Sequence, residues 1–442
     1  MNSTLECVTD WIQRQRWYSG KGQLPDLREL VVEEWDVGDD ARVRVLLIMD
    51  HAGHAPTLYH VPIVVRSTIP RGAGPMLIGR NDEGDYLFDA PHDPLYAAAL
   101  LERISPGHEV ATASSVLTGE QSNTSIRYTF AETPAVICKV FRMLHNGENP
   151  DVTLQGALSA AGSTAVPRFV GALTGEWEDV GEPNGRAIGH LAFAQEFLPG
   201  VTDGWQVALD RAMAGEDFSA LSSDLGSATA GVHATLLTVL PTAEPGLGAI
   251  VAMVAAWHRR LAIATSEVPS LAPLRARIEA VYDEAQAGDW PHLQRIHGDL
   301  HLGQALLTAD GRWVLVDFEG EPMRPMRERI QPDVTLRDIA GMLRSFDYAA
   351  GTAQSAGVDE ALAGAWAQSS RAAYLAGYEQ VAGAGATGGN PALLDALELD
   401  KAVYEAIYEA RNRPDWLAIP LRGIERLLAA HGSQSSRGSD SN

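Results

Sequence analysis

The chain of 442 residues is longer than a single hydrophobic core usually supports, and its 57 acidic against 34 basic side chains give a formal net charge of −23. That balance argues against nucleic acid and anionic membrane surfaces, which demand clustered Lys and Arg, and no apolar run reads as a membrane span at an apolar fraction of 45%. The opening MNSTLECVTDWIQRQRWYSG lacks the apolar core of a secretory signal, and Cys7 and Cys138 as lone thiols point to a reducing cytoplasm.

Residues 1–107 read as a small α/β unit: a short helix, strands at 42–50 and 58–66, and turns rich in Gly and Pro. A β-rich block follows over 108–200, with SSVLTGEQSNTSIRYTF, PAVICKVF, the helix-like NPDVTLQGALSAAG and IGHLAFAQEFLPG. Cys138 within PAVICKVF reads as a buried small hydrophobe. Residues 201–442 are mainly helical, with Asp224 as the expected N-cap of DLGSATAGVHATLLTVL and a second helix in LGAIVAMVAAWHRRLAIA. AGAGATGGNP (382–391) is an interhelical loop with Pro391 suited to the first turn of the next helix. The composition of the final SQSSRGSDSN predicts a tail without structure.

The segment RIHGDLHLGQALLTADGRWVLVDFEG (295–320) carries most of the chemistry. His297 and His301 stand four apart, as on a zinc-binding helix, but Gly298 opposes a helix there and further ligands are missing. Loop packing accounts for the histidines and leaves the two aspartates unexplained. Phosphoryl transfer accounts for more. Asp299 would receive the proton of an attacking hydroxyl, and Gln304 would offer a carbonyl oxygen to magnesium. After a turn at residues 309–311, the strand WVLVDF would end in Asp317 as a second oxygen ligand.

That reading calls for upstream partners. Lys139 interrupts the apolar strand of PAVICKVF, where an ammonium is unfavourable unless it meets a charge such as a nucleotide phosphate; the alternative is a lysine snorkelling from an edge strand. The polar turn TGEQSNTS (118–125), with Ser122 and Asn123, could cover phosphates. In AQEFLPG, the backbone of Glu196, Phe197 and Leu198 could meet an adenine edge.

With these motifs in place, the chain resembles the aminoglycoside-phosphotransferase-like kinases over nearly its whole length, and most closely their maltokinase branch with its relatives, the actinobacterial glucosamine kinases. WIQRQRWYSGKG (11–22) resembles the opening of their cap domain, and HGDLHLGQ (297–304) and VDFEGEP (316–322) resemble their catalytic and metal motifs. RDIAGMLRSFDYAA (337–350) and VYEAIYEARNRPDW (403–416) look like their carboxy-terminal signatures. The resemblance implies an α+β, bilobal protein-kinase-like fold with an extra N-terminal α/β cap domain. It implies Asp299 as catalytic base, Gln304 and Asp317 as Mg2+ ligands, Lys139 on ATP phosphates, and residues 196–198 as the hinge. One departure stands out: residues 149–162 contain no Glu to pair with Lys139, which leaves Asp151 or Gln155 as its partner.

The acceptor wall is expected in VYEAIYEARNRPDW. Glu405 and Glu409 would share one helix face, repelling each other unless sugar hydroxyls or an ammonium lie between them; Trp416 could stack on a sugar ring, and His301 would stand beside the base. The competing reading pairs Glu409 with Arg413 and makes Trp416 a core plug. Asp338 and Arg344 read equally well as braces under the catalytic loop, and Arg14, Arg16, Trp17 and Lys21 as residues that dock the cap. The acidic face favours glucosamine, phosphorylated on its 6-hydroxyl, over maltose; a nucleotide-binding scaffold without chemistry is the alternative of another class. A cytoplasmic monomer or weak dimer acting on a small sugar is expected.

Overall fold

The computed structural model describes residues 3–38, 41–53, 55–119, 122–322 and 324–439. The chain sorts into two units, Met1–Gly156 with Pro167–Pro199, and Ala157–Val166 with Gly200–Asn442.

The first unit opens with α1 (Thr4–Ile12), started by a capping box in which Ser3 and Glu6 satisfy each other's backbone amides. Strands β1 (Leu27–Asp36), β2 (Arg42–Asp50), β3 (Thr57–Arg66), β4 (Leu77–Arg80) and β5 (Tyr86–Asp89) form an antiparallel sheet in the order β1-β2-β3-β5-β4. Helix α2 (Pro94–Ile104) leads to β6 (Ala113–Val116), β7 (Asn123–Thr129), β8 (Val136–Phe141) and β9 (Met143–Leu144). Helix α3 (Pro150–Ala160), β10 (Phe169–Glu178) and β11 (Arg186–Glu196) follow, and the second sheet runs β10-β11-β8-β7-β6. Strand β9 instead pairs with β3 of the first sheet.

The two sheets share cores. Val43, Val45 and Val64 of the first are buried in one cluster with Ile126, Val136, Cys138 and Val140 of the second, beneath Tyr96 and Leu100 of α2. Each such aliphatic side chain contributes about 1.5–3 kcal/mol, and these buried contacts cross the segment boundary expected near residue 107. Trp17 is buried, with the Arg142 guanidinium 4.9 Å from its ring centroid, and Arg16 donates to the Thr118 carbonyl at 3.1 Å. The RQRW segment thus packs the first sheet's helix side onto the rest of its own unit.

In the second unit, β12 (Thr202–Asp203) and α4 (Gly204–Ala214) precede α5 (Ser219–Val239), α6 (Leu247–Glu267) and α7 (Arg275–Ala287). A hairpin of β13 (Ala305–Leu307) and β14 (Trp313–Leu315) joins β12 in a three-stranded sheet. The chain ends in α8 (Met326–Arg329), α9 (Leu336–Ser355), α10 (Glu360–Ala382), α11 (Pro391–Asn412) and α12 (Ala418–Ser439).

Three expectations are corrected here. Asp224 lies inside α5, whose first turn is instead met by Asp217 accepting from the Ser219 amide at 3.0 Å. The polar tail is helical to Ser439, and its last three residues fall outside the described set. Helix α6 is long and apolar enough to cross a membrane by length and composition. It nevertheless buries Val254, Trp257, Leu261 and Ala264, and its Arg260 is paired with Asp400 of α11.

Candidate functional site

In the second unit, the catalytic-loop candidate is built as a backbone structure first. Gly298 adopts φ 83°, a left-handed conformation costly for residues with a Cβ, and turns the chain sharply between His297 and Asp299. Both amides entering that turn are held: His297 N–H and Gly298 N–H each donate to the Asp338 carboxylate at 2.8 Å. Asp338 also bonds His233 Nε2 at 2.9 Å, and His233 Nδ1 meets the Tyr378 hydroxyl at 3.0 Å. Burial works against the charged carboxyl of Asp338, but His233, His297 and the Gly298 amide outweigh it and hold its pKa below the usual range. Helix α9 comes close enough to do this because Gly341 has no side chain; a Cβ there would lie 2.5 Å from the Leu300 carbonyl oxygen. One turn on, Ser345 accepts from the Leu302 amide at 3.0 Å. RDIAGMLRS is therefore the brace of the loop, through Asp338, Gly341 and Ser345.

His297 ties the loop to the neighbouring strand. Its Nε2 bonds the Val316 carbonyl at 2.9 Å, its Nδ1 faces the Asp299 amide at 3.4 Å, and its ring packs on Phe318 with centroids 4.6 Å apart. The Val316 carbonyl accepts, so Nε2 carries the proton and Nδ1 is the acceptor. Among the described residues, no histidine falls within a cluster of possible metal ligands. His301 caps the short turn after it, accepting from the Gly303 amide at 3.1 Å; burial lowers its pKa, against the pull of Asp299.

The β13–β14 hairpin brings the two magnesium candidates together. Ala305 pairs with Leu315, and the Thr308–Arg312 turn closes the hairpin as the sequence predicts. Strand β14 stops at Leu315, two residues short of the expected Asp317 terminus. Asp317 then takes φ 65°, the one non-glycine positive φ among the described residues, a conformation that surrounding structure must hold. Gln304 Nε2 donates to Asp317 Oδ2 at 3.1 Å. A carboxylate and an amide in mutual contact make an oxygen donor set that suits a hard divalent cation, once a half-turn of the terminal Gln304 torsion presents Oε1. Glu319, which the sequence reading passed over, has a carboxylate oxygen within 4.8 Å of one on Asp317.

Asp299 is half-buried, and its Oδ1 is held by Lys401 of α11 at 3.0 Å. Lys401 also stands 3.5 Å from Glu321. Lys401 is not visible as a site residue in the linear motif, because the helix that supplies it lies 102 residues beyond Asp299, whereas Glu321 lies inside VDFEGEP but was given no role there.

The acidic face of α11 follows the competing reading, in which Glu409 pairs with Arg413. Glu405 is bound by Arg344 through Nε at 3.0 Å and Nη2 at 2.7 Å. Glu409, 1% exposed, is bound by Arg413 at 2.6 Å and by the Tyr348 hydroxyl at 3.2 Å. Arginines of this chain, not a ligand, thus neutralise the carboxylate pair. Trp416 is no core plug: it is half-buried, with the Arg413 guanidinium 4.7 Å above its ring and 5.4 Å from that of Tyr408.

In the first unit, Lys139 on β8 points to α3 and pairs with Asp151 at 2.7 Å, the two side chains 15% and 1% exposed. Asp151 fills the role for which no Glu was available, and Gln155 turns instead to Gln195. The hinge candidates stand at the end of β11 and just beyond it: the Glu196 amide donates to Arg168 O and the Phe197 amide to Ala135 O, both at 2.8 Å, with Leu198 next in the chain. Arg127 lies 4.4 Å over the Phe197 ring. In the polar turn, Ser122 is exposed and Asn123 opens β7 opposite Phe141, while Glu120 and Gln121 lie outside the described residues.

Comparison with known proteins identifies the family. Residues 152–383 match the phosphotransferase enzyme family, and residues 11–93 match the maltokinase N-terminal cap domain. The chain is 30% identical over 411 residues to a glucosamine kinase of Streptacidiphilus jiangxiensis, covering 85% of this chain and 89% of that one. It is 30% identical over 356 residues to a glucosamine kinase of Mycolicibacterium smegmatis, covering 74% and 82%. Among solved structures, a glucosamine kinase in crystal form B superimposes with a TM-score of 0.68 at 24% identity, over 96% of this chain and 99% of the other. A glucosamine kinase in complex with glucosamine, ADP and inorganic phosphate gives 0.66 at 24% identity, over 95% and 99%. The structural likenesses establish the fold.

Proposed function

Since the chain belongs to the phosphotransferase enzyme family and carries a maltokinase N-terminal cap domain, we propose that it transfers phosphate from ATP to a hydroxyl of glucosamine. The observation that carries the chemistry is the joint placement in one unit of Asp299, on a loop clamped by Asp338, and of Gln304 in contact with Asp317. The acceptor is taken from the two relatives, glucosamine kinases matched over 89% and 82% of their length.

Within that reading, Asp299 orients the acceptor hydroxyl and receives its proton, His301 lines the same loop, and His297 keeps the loop registered against the strand leading to Asp317. Gln304 and Asp317, with Glu319 near, would hold Mg2+, which supplies charge neutralisation of the phosphates. Lys139, fixed by Asp151, would meet nucleotide phosphates; Ser122 and Asn123 would border them, and residues 196–198 would meet the base. The work of these groups is positioning and charge compensation, since a transferring phosphoryl group needs little covalent help. Glu405, Glu409, Arg413 and Trp416 form the framework of the acceptor wall rather than open ligands. We place the protein in the cytoplasm as a monomer or weak dimer.

A second reading, phosphorylation of maltose on its reducing-end hydroxyl, draws on one observation: the internal pairing of Glu405 and Glu409 removes the open acidic face that favoured an amine. ATP consumption with glucosamine, maltose, glucose and kanamycin separates the two. Turnover confined to glucosamine is expected; preference for maltose would replace the first reading by the second, and no consumption with any acceptor would leave a nucleotide-binding scaffold.

A further inference from the structure

Lys401 is the charged residue of α11 that reaches the catalytic loop. Of the other charges on its helix, Asp400 is served by Arg260, Glu405 by Arg344, Glu409 by Arg413 and Arg411 by Glu267, while Asp395 and Glu398 face His431 and Arg371. Its ammonium lies 3.0 Å from Asp299 Oδ1 and 3.5 Å from Glu321 Oε1, on a side chain 27% exposed. The Tyr404 ring centroid is 5.4 Å from it. The remaining charged groups lining the same small cavity are Arg260, Arg337 and Asp400, and His301 and Arg329 also act on Asp299 from the loop side. Burial pushes the lysine pKa down, but Asp299, Glu321 and Glu405 outweigh it and raise the pKa above its ordinary value, so the ammonium keeps its proton throughout the physiological range.

Ordering a lysine side chain requires giving up most of its rotamer freedom, so a lysine fixed between two carboxylates at a reaction centre needs a reason. We infer that Lys401 is a positioning residue for Asp299 and the internal counter-cation of the acceptor site. By holding Oδ1 it leaves Oδ2 as the oxygen presented to the acceptor. By offsetting one of the two negative charges of the Asp299–Glu321 pair it weakens a local attraction that would otherwise bind a cationic acceptor, or a stray amine, directly on the base. This rests on Asp299 being the base. In the transfer, the acceptor oxygen bonds to the γ-phosphorus and the bond from that phosphorus to the bridging oxygen of ADP breaks. The hydroxyl proton passes to Asp299 Oδ2, and Lys401 remains an ammonium throughout.

The test uses full-length Lys401→Met and Lys401→Arg with glucosamine and a neutral sugar as acceptors. Lys401→Met is expected to lose at least ~10-fold in kcat through lost orientation, with the KM for ATP held within about twofold. Its KM for glucosamine should fall about 2–5-fold relative to that for the neutral sugar, the scale of one partly exposed ion pair. Lys401→Arg should recover most of kcat. A merely structural lysine would not improve the apparent affinity for an amine while turnover drops. Retention of more than half of kcat by Lys401→Met, or equal KM changes for both sugars, overturns the inference. If that variant does not fold, Lys401→Gln, which keeps a hydrogen-bond donor at the position now 3.0 Å from Asp299 but removes the charge, takes its place: the KM for glucosamine is expected to fall about 2–5-fold relative to that for the neutral sugar, and equal KM changes for both overturn the inference. The wild-type acceptor panel tests the underlying reading separately: turnover of a neutral sugar alone rejects glucosamine but leaves the kcat prediction for Lys401 to be read on that sugar, and no turnover with any acceptor rejects both.

Discussion

Asp338→Asn isolates the brace under the loop without changing its shape. The native carboxylate is 1% exposed and accepts from the His297 amide, the Gly298 amide and His233. An asparagine keeps one acceptor oxygen and turns the other into a donor that must face an existing donor. The least damaging orientation keeps the oxygen toward His297 and His233 and leaves the Gly298 amide unsatisfied, a loss of about 1–3 kcal/mol. The two remaining bonds lose their charge assistance, about 1 kcal/mol each. Relief from burying a charge offsets part of this, so a net destabilisation of about 2–4 kcal/mol is expected. That corresponds to a fall of roughly 5–15 °C in the unfolding midpoint of the second unit. Because the carboxyl pKa is held below its unfolded value, its stabilisation is fully present above about pH 4 and is lost only as pH drops through the lower folded value. The wild-type-to-variant gap should therefore stay flat between pH 6 and 8. Scanning calorimetry reads the midpoint, and steady-state kinetics should show kcat reduced at least ~10-fold as the loop loses its anchor. A midpoint shift under about 1 °C, or a gap that widens as pH falls from 8 to 6, would refute the reasoning.

Three further outcomes are expected. Asp299→Asn should leave nucleotide binding by calorimetry intact while turnover falls at least ~10²-fold, the scale of a general base; full activity would remove Asp299 from the chemistry. Asp151→Asn deprives Lys139 of its 2.7 Å partner and should weaken binding of a non-hydrolysable ATP analogue about tenfold, as expected for loss of a charged hydrogen bond, with no change in acceptor preference. Glu409→Gln should lower the unfolding midpoint through loss of its bonds to Arg413 and Tyr348, and should slow glucosamine and neutral sugars alike. A loss confined to glucosamine would make Glu409 an ammonium ligand after all.

The linear motifs carried a good deal of this. HGDLHLGQ and VDFEG announced a loop, a hairpin and a strand end, because short-range spacing governs a hairpin register and the turn at Gly298. The Lys139 strand was legible because a charge in an apolar run demands a partner, and the choice between Asp151 and Gln155 was decided only by which residue of α3 faces β8. Asp224 misled because a good capping residue was read without its context, whereas α5 starts earlier, where Asp217 meets the first turn.

The sequence by itself supplied the candidate reacting groups: side-chain oxygens at 304 and 317, a loop aspartate at 299, and a lysine within a β strand. Those identities follow from composition and local spacing, which act over a few residues. Tertiary structure alone decided how charges are matched. The arginines at 344 and 413 take the carboxylates at 405 and 409, and the ammonium at 401 takes Asp299 rather than a neighbour on its own helix. An ion pair forms wherever packing brings two side chains within a few ångströms in a place poor in water, and helices far apart in the chain meet there only after the core has formed.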